Sequence, residues 1–291
     1  MNHLFCFGLG YSAQALARVL KEKGWKISGT TRDVASKAQL EDAGYQMFLF
    51  DDQHPISGDV LEDVSHVLLS IPPGKEGDPV FSRLGEVLAE RAKNLQWVGY
   101  LSTTGVYGDR KGGWVDENSP LNPSTARGEK RLQAETDWLG LYASSDLPVH
   151  IFRLAGIYGP GSNQLEKVAA GKANRRIKPG QVFSRIHVDD IVGILMASMD
   201  RPNPGQAYNV CDDEAAPPQD VVTFAAQLLH VEPPEEVAFN PQDMTAMGLS
   251  FFAESKRVSN SRVKSELGYV FKYPTYREGL KALLPTVTDR A

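Results

Sequence analysis

Gly8-Leu9-Gly10-Tyr11-Ser12-Ala13 has the spacing of a phosphate-binding turn, G-x-G-x-x-A. It lies between an apolar run, Leu4-Phe5-Cys6-Phe7, and a stretch in which Ala13, Leu16, Ala17 and Leu20 recur at helical spacing until Gly24. In such a turn the first glycine permits the tight bend, the second lets the backbone approach a pyrophosphate, and the small third residue lets helix pack on strand. The helix N-terminus then offers N–H groups to the phosphate charge. The run therefore predicts strand, turn and helix, with Gly8, Gly10, Tyr11, Ser12 and Ala13 as candidate dinucleotide-binding residues. Counting 20 residues from Gly10 reaches Thr30-Thr31-Arg32-Asp33. A carboxylate there would take the ribose 2′-hydroxyl of NAD, whereas a cation would take the 2′-phosphate of NADP. Thr31 and Arg32 favour NADP through charge-assisted bonds, and Asp33 keeps NAD open.

The elements that must position this turn follow from the rest of the chain. Further apolar runs occur at 25–29, 45–50, 64–71, 97–101, 148–154 and 206–210, most of them separated by room for a helix. Strands alternating with helices predict an α/β fold, a mostly parallel sheet with helices on both faces. Three Pro/Gly-rich stretches, 72–79, 108–123 and 159–161, follow predicted strands, where open α/β sheets bind ligands. Beyond residue 231 the pattern loosens into short elements. The expected organisation is a Rossmann domain over 1–160 and 182–230 and a small non-contiguous substrate lobe over 161–181 and 231–291.

The 291 residues carry 31 Lys+Arg against 36 Asp+Glu, a formal charge of −5. No basic block provides the footprint of a nucleic-acid binder, and no apolar stretch reaches the roughly 18–20 residues of a membrane span. Cys6 and Cys211 form neither a disulfide framework nor a zinc spacing. A cytoplasmic protein with a small-molecule substrate and no metal, nucleic-acid or membrane partner is expected.

Four later motifs are 101–108 (Leu-Ser-Thr-Thr-Gly-Val-Tyr-Gly), 152–161 (Phe-Arg-Leu-Ala-Gly-Ile-Tyr-Gly-Pro-Gly), 186–191 (Ile-His-Val-Asp-Asp-Ile) and 207–210 (Ala-Tyr-Asn-Val). Together with the first turn they resemble, in order and spacing, the NAD-dependent epimerase/dehydratase family of extended short-chain dehydrogenase/reductases. The resemblance implies a seven-stranded Rossmann sheet and a small substrate lobe. It also implies that Asp51 lies near adenine, that Ser70, Ile71 and Pro72 flank the cofactor ribose, and that Ser102 and Leu154 line the cofactor. Thr103, with Thr104 beside it, takes the Ser/Thr catalytic position, and Tyr158 and Arg185 face substrate. A homodimer is common in the superfamily. Without reference to the family, Asp190 reads as an N-cap for Ile191, Ile194 and Leu195, Gly268 as a helix stop and Thr275 as the cap of a closing helix.

The family's chemistry usually turns on a Tyr-x-x-x-Lys pair on the helix after the Ser/Thr strand, one helical turn placing both on one face. With Glu135 aligned to the acid that follows the pair, Arg127 and Arg131 occupy its two positions, and no tyrosine occurs between Gly108 and Leu141. A guanidinium stabilises an anion but exchanges no proton in turnover. Tyr107-Gly108-Asp109-Arg110-Lys111 repeats the spacing in a loop, where i and i+4 share no face. The pattern resembles atypical members of the superfamily, including a bacterial group with Arg-Gly at this position. Two readings stay open. One is an enzyme on a small anionic or nucleotide-sugar-like substrate, in which Thr103 or Thr104 binds the reacting oxygen, Arg127 holds a negative group and Tyr107 or Tyr158 supplies a phenol. The other is a non-catalytic dinucleotide-binding redox sensor.

Overall fold

The sheet and its helices appear in the computed structural model in the expected alternation: β1 (His3–Phe7), α1 (Tyr11–Glu22), β2 (Lys26–Thr31), α2 (Val34–Asp42), β3 (Gln46–Leu49), β4 (His66–Leu69), α3 (Pro79–Glu90), β5 (Trp97–Thr103), α4 (Ala126–Ser145), β6 (Val149–Leu154), α5 (Val188–Asp200), β7 (Ala207–Val210), α6 (Pro218–Leu228) and α7 (Tyr276–Thr288). Residues 1–288 are described, the side chains of 246 and 247 excepted, so the end of the expected lobe, 289–291, lies outside the described residues. Seven strands pair in the order β7-β6-β5-β4-β1-β2-β3, and the pairings of β1 with β2 and β4, β2 with β3, and β4 with β5 are parallel. The order reverses at β1, so the loop leaving its carboxyl end stands at the switch point where doubly wound sheets bind ligands.

The chain divides into two compact units. The first comprises 1–102, 130–153 and 192–208, and the second 103–129, 154–191 and 209–291, which includes both segments expected to form the small lobe. In the first, Phe5 and Phe7, Val67 and Leu69, and Val98 and Tyr100 sit two apart on their strands and so share one sheet face. They form one buried cluster with Leu84 and Leu88 of α3 and Ala134 and Trp138 of α4. Asp78 joins the two helices: Oδ1 caps α3 by accepting from the N–H groups of Val80 (2.8 Å) and Phe81 (3.1 Å), and Oδ2 accepts from Trp138 Nε1 (3.1 Å). The buried indole thus finds the partner that its N–H requires.

The second unit is built from short parallel pairs: Gly156–Tyr158 with Arg185–His187, Arg175–Ile177 with Glu236–Ala238, and Trp114–Val115 with Arg257–Val258. Its apolar cluster joins Tyr158, Leu165, Val222, Ala225, Tyr276 and Leu280. Thr275 caps α7 as expected, its Oγ1 accepting from Arg277 N (3.1 Å), and Glu278 completes the box, its Oε2 accepting from Thr275 N (3.0 Å). Gly268 takes φ of +63° just past the helix Ser261–Glu266. Asp190 departs from its expected role. Helix α5 already starts at Val188, and the Asp190 carboxylate accepts from Tyr269 OH (2.7 Å) and from the backbone N–H groups of Lys272 (2.7 Å) and Tyr273 (3.1 Å). It anchors the 269–273 loop because that loop brings it three donors.

Helix α4 is tied to the sheet by a buried ion pair. Glu135 is 1% exposed and Arg153, on β6, 4%. Arg153 Nη2 donates to Glu135 Oε2 at 2.8 Å, Nε lies 3.2 Å from the same oxygen, and Ser102 Oγ, on β5, donates to Oε1 at 2.5 Å. Removing one partner of such a pair leaves an uncompensated buried charge. Glu135→Ala is expected to destabilise the chain by about 3–5 kcal/mol, read as the shift in urea-unfolding free energy; a loss under ~1 kcal/mol would show that the pair is not the anchor.

Candidate functional site

The first unit carries the predicted turn. Gly8 has φ of +84°, and a Cβ there would stand 2.8 Å from Ile71 Cγ1 and 3.3 Å from Ile71 N, so both the backbone conformation and the close approach of the loop after β4 require glycine. The turn is pinned to β2: Gly8 N donates to Thr30 Oγ1 (2.8 Å) and Leu9 N to Thr30 O (2.9 Å). Gly10 differs. Its φ is −87°, which any residue adopts, and a Cβ on it would meet nothing within 4 Å. Helix α1 begins there with no side-chain cap and no acidic residue in its first turn; Ser12 and Ala13 are buried and Tyr11 is exposed. Such a terminus keeps its positive end for an incoming anion.

At the carboxyl end of β2, Thr31 Oγ1 accepts from Asp33 N (3.2 Å), and the Asp33 carboxylate caps α2 by accepting from Ser36 N at 2.7 Å. Hydrogen bonds from the Ser36 hydroxyl and amide hold that carboxyl below its usual range. Arg32 is exposed and makes no hydrogen bond or ion pair among the described residues. Asp51 is engaged locally: Oδ1 accepts from the N–H groups of Gln53 (2.8 Å) and His54 (3.0 Å) and lies 2.8 Å from His54 Nδ1, which lowers its pKa. Ser70, Ile71 and Pro72 leave β4 directly, Ser70 N still pairing with Phe7 O (2.9 Å).

Ser102 is committed to Glu135, as described above. Arg131 is 8% exposed, and its Nη1 donates to Leu101 O (2.7 Å) and Tyr100 OH (3.1 Å). This guanidinium thus holds α4 against the end of β5.

The second unit carries the other predicted residues. Thr103 Oγ1 accepts from Gly105 N (3.1 Å) and opens the 3₁₀ turn Thr104–Tyr107. Tyr107 is fully buried, and its hydroxyl donates to Asn209 Oδ1 at 2.7 Å; Asn209 N donates to Glu117 Oε1 (2.8 Å) and Nδ2 to Ser259 O (3.1 Å). Lys111 has φ of +49°, so Tyr107 and Lys111 share no helical face. A Cβ at Gly128 would stand 2.9 Å from Gly105 O, which explains the glycine of Arg127-Gly128: the first turn of α4 needs that approach. The Arg127 side chain is exposed and makes no hydrogen bond or ion pair among the described residues. Leu154 is buried at the end of β6. Tyr158 is buried with its ring edge-on to His187 at 5.2 Å, and Arg185 Nη1 donates to Phe183 O (2.8 Å) and Ala216 O (3.0 Å).

Sequence reasoning missed a buried pair beside Tyr107. Lys256, 8% exposed, donates from Nζ to Gly108 O (2.9 Å) and Glu254 Oε2 (2.5 Å), and Glu254 Oε1 accepts from Ser124 Oγ (2.7 Å). The pair clamps the loop entering α4. Its i, i+2 spacing in an irregular segment carries no periodic signal. Among the described residues no group of His, Cys, Asp or Glu could hold a metal, and no helix is long and apolar enough to cross a membrane.

Tyr107→Phe would leave Asn209 Oδ1 buried without its donor. A destabilisation of about 1–3 kcal/mol in urea unfolding is expected, and an unchanged midpoint would show that the phenol does not hold this network.

The sequence model of the NAD dependent epimerase/dehydratase family matches residues 82–211, a segment beyond the Gly8 turn. Protein YeeZ of Escherichia coli K12 is 28% identical over 284 residues, 94% of this chain and 97% of that one. A solved structure of a functionally unknown conserved protein from Silicibacter pomeroyi DSS is 49% identical, covers 98% of this chain and 99% of its own, and superposes with a TM-score of 0.90. UDP-glucuronic acid 4-epimerase from Bacillus cereus, solved with UDP-glucuronic acid and NAD, shares the fold at 17% identity, with a TM-score of 0.77 and complete coverage of both chains. Over 82–211 the chain thus matches the NAD-dependent epimerase/dehydratase family, and it shares the fold of the UDP-glucuronic acid 4-epimerase.

Proposed function

We propose that this chain is an NADP-binding reductase-like or epimerase/dehydratase-like enzyme of the cytoplasm that acts on a small anionic or nucleotide-sugar-like substrate without the usual Tyr/Lys pair. The observation that carries the reading is the Gly10 position, where the uncapped start of α1 adjoins open space: a Cβ on Gly10 would meet nothing within 4 Å. Gly8, Gly10, Ser12 and Ala13 fit a pyrophosphate, and Arg32 with Thr31 fits a 2′-phosphate, Asp33 being committed to its helix cap. The bound dinucleotide would supply hydride transfer.

The chain's own residues take the remaining tasks. Thr103 accepts from Gly105 N and keeps its hydroxyl proton to donate to a reacting oxygen, and Thr104 offers a second hydroxyl. Arg127, exposed and unpaired, is suited to hold a substrate anion. Tyr107 is suited to orientation through Asn209 more than to proton exchange, because its proton is already donated in a buried network. Arg131 positions α4 against β5. One observation favours the non-catalytic sensor as a second reading: neither side chain at the family's Tyr/Lys positions can move a proton, and Arg131 is bound to the backbone.

Arg32→Ala tests the cofactor assignment. NADP affinity is expected to fall about ten-fold or more, a charge-assisted contact contributing about 1.5–3 kcal/mol, while NAD affinity stays within about two-fold. Equal losses for both dinucleotides would reject the role of Arg32. NADPH oxidation screened against carbonyl compounds and nucleotide sugars separates the two readings: turnover abolished by Thr103→Ala supports the enzyme, and dinucleotide binding with no hydride transfer to any of them supports the sensor.

A further inference from the structure

Three consecutive acids follow β7, and they are disposed differently. Asp213 pairs with Lys264 Nζ at 2.6 Å and accepts from Asn260 Nδ2 at 2.7 Å, and Glu214 accepts from Arg277 Nη2 at 3.2 Å. Asp212 turns inward and is 2% exposed; Oδ1 accepts from Glu214 N (3.2 Å), and Oδ2 has no hydrogen-bond partner. Its own backbone N–H donates to Arg185 O at 2.7 Å, which sets the two residues side by side, yet their side chains make no ion pair. Arg185 commits only Nη1, to two carbonyls.

Among the described residues three more buried oxygens of this unit lack a partner, Tyr158 OH, Tyr276 OH and Gln219 Oε1, and the two phenols share the surroundings of Arg185. The two tyrosines belong to one apolar cluster, and Tyr158 OH lies so close to α7 that a Cβ on Gly279 would come within 2.0 Å of it. Both phenols lie within the field of Arg185, and Tyr158 also within that of Asp212. A buried polar atom without a partner opposes folding, and the unpartnered oxygens of Asp212, Tyr158 and Tyr276, all within the field of Arg185, are groups that an oxyanion would satisfy together.

We propose that Asp212, Arg185, Tyr158 and Tyr276 form a proton-gated site for the compact oxyanion of the substrate, in which Arg185 supplies the charge and protonated Asp212 and the two phenols donate to the oxygens. The proposal rests on the reading that Tyr158 and Arg185 serve substrate, and it adds Asp212 as the residue that sets when the anion is accepted. Burial pushes the Asp212 carboxyl up to about 8, Arg185 pulling the other way and the charges of Glu214 and Asp213 adding to the rise. Below that pH the carboxyl is neutral and the Arg185 charge is available; above it the carboxylate cancels that charge and repels an anion. Of the other facing groups, burial raises the Asp190 carboxyl and hydrogen bonds from Thr275 hold that of Glu278 below its usual range. Burial holds His187 at about 4 and raises both phenols, while Asp190 and Glu278 are bound to Tyr269 and Thr275.

Sulfate, whose charge is fixed across the range, is the probe. Titrated calorimetrically into the full chain, it is expected to bind about ten-fold or more tightly at pH 6.5 than at pH 9.5. Asp212→Asn should bind it equally at both pH values, and Arg185→Gln should not bind it. Tyr158→Phe, which removes an unpartnered hydroxyl and so should fold, is expected to weaken binding several-fold at pH 6.5, and it decides the question if Arg185→Gln fails to fold. The same fall with pH in Asp212→Asn, unaltered affinity in Tyr158→Phe, or no binding to the parent chain at pH 6.5 would each overturn the proposal. No dinucleotide or turnover enters the measurement, so its failure is distinguishable from failure of the proposed activity.

Discussion

The buried carboxylate of Glu135 is the constraint on which the arrangement of the first unit depends. An ionised group almost without solvent exposure is tolerated only where charge and hydrogen bonds surround it, and Arg153 and Ser102 provide both. Those partners stand on β6 and β5, so neutralising one charge joins a helix to two strands. Arg131, one helical turn earlier, adds its bond to Leu101 O. Together they determine where α4 lies against β5, the helix that in the family commonly presents the Tyr-x-x-x-Lys pair. Here that helix keeps its anchor and carries Arg127 and Arg131 one turn apart.

The charged groups of the structure fall into two kinds. Many are satisfied in place: Asp78 caps one helix and binds the indole of another, Asp33 caps α2, Asp190 gathers the 269–273 loop, and Lys256 with Glu254 clamps the loop before α4. These explain fold. Among the described residues, Arg32 and Arg127 are exposed with side chains that have no partner, and Asp212 is buried with one oxygen unpartnered. Natural structures pair their buried polar groups, so the exceptions are where ligand chemistry is sought.

The sheet was legible because its strands are continuous apolar runs and its first helix is strongly periodic; each of the seven expected strands is present, with ends shifted by at most two residues. The turn at Gly8 was legible from glycine spacing, since only glycine accepts that φ against Ile71. Long-range polar partnerships were not. Nothing in the sequence around Asp190 announces that Tyr269 and two amides from residues 272 and 273 will reach it, and its neighbours read equally well as a helix start. Lys256 meets Gly108 across 148 residues, and Asp212 meets Arg185 through a backbone bond between a loop and a short strand. Such contacts are set by tertiary packing, which local periodicity does not encode.

The central claim, that the Gly8–Ala13 turn holds the dinucleotide pyrophosphate, is tested most directly at Gly10. Because its φ is ordinary and a Cβ there meets no protein atom within 4 Å, Gly10→Val should leave folding unchanged while filling the space through which a pyrophosphate approaches the backbone. Calorimetric titration of the folded variant with NADPH is expected to show affinity reduced by about ten-fold or more, a loss of about 1.4 kcal/mol or greater. A Gly10→Val chain that melts like the parent and binds NADPH with the parent's affinity would contradict the account.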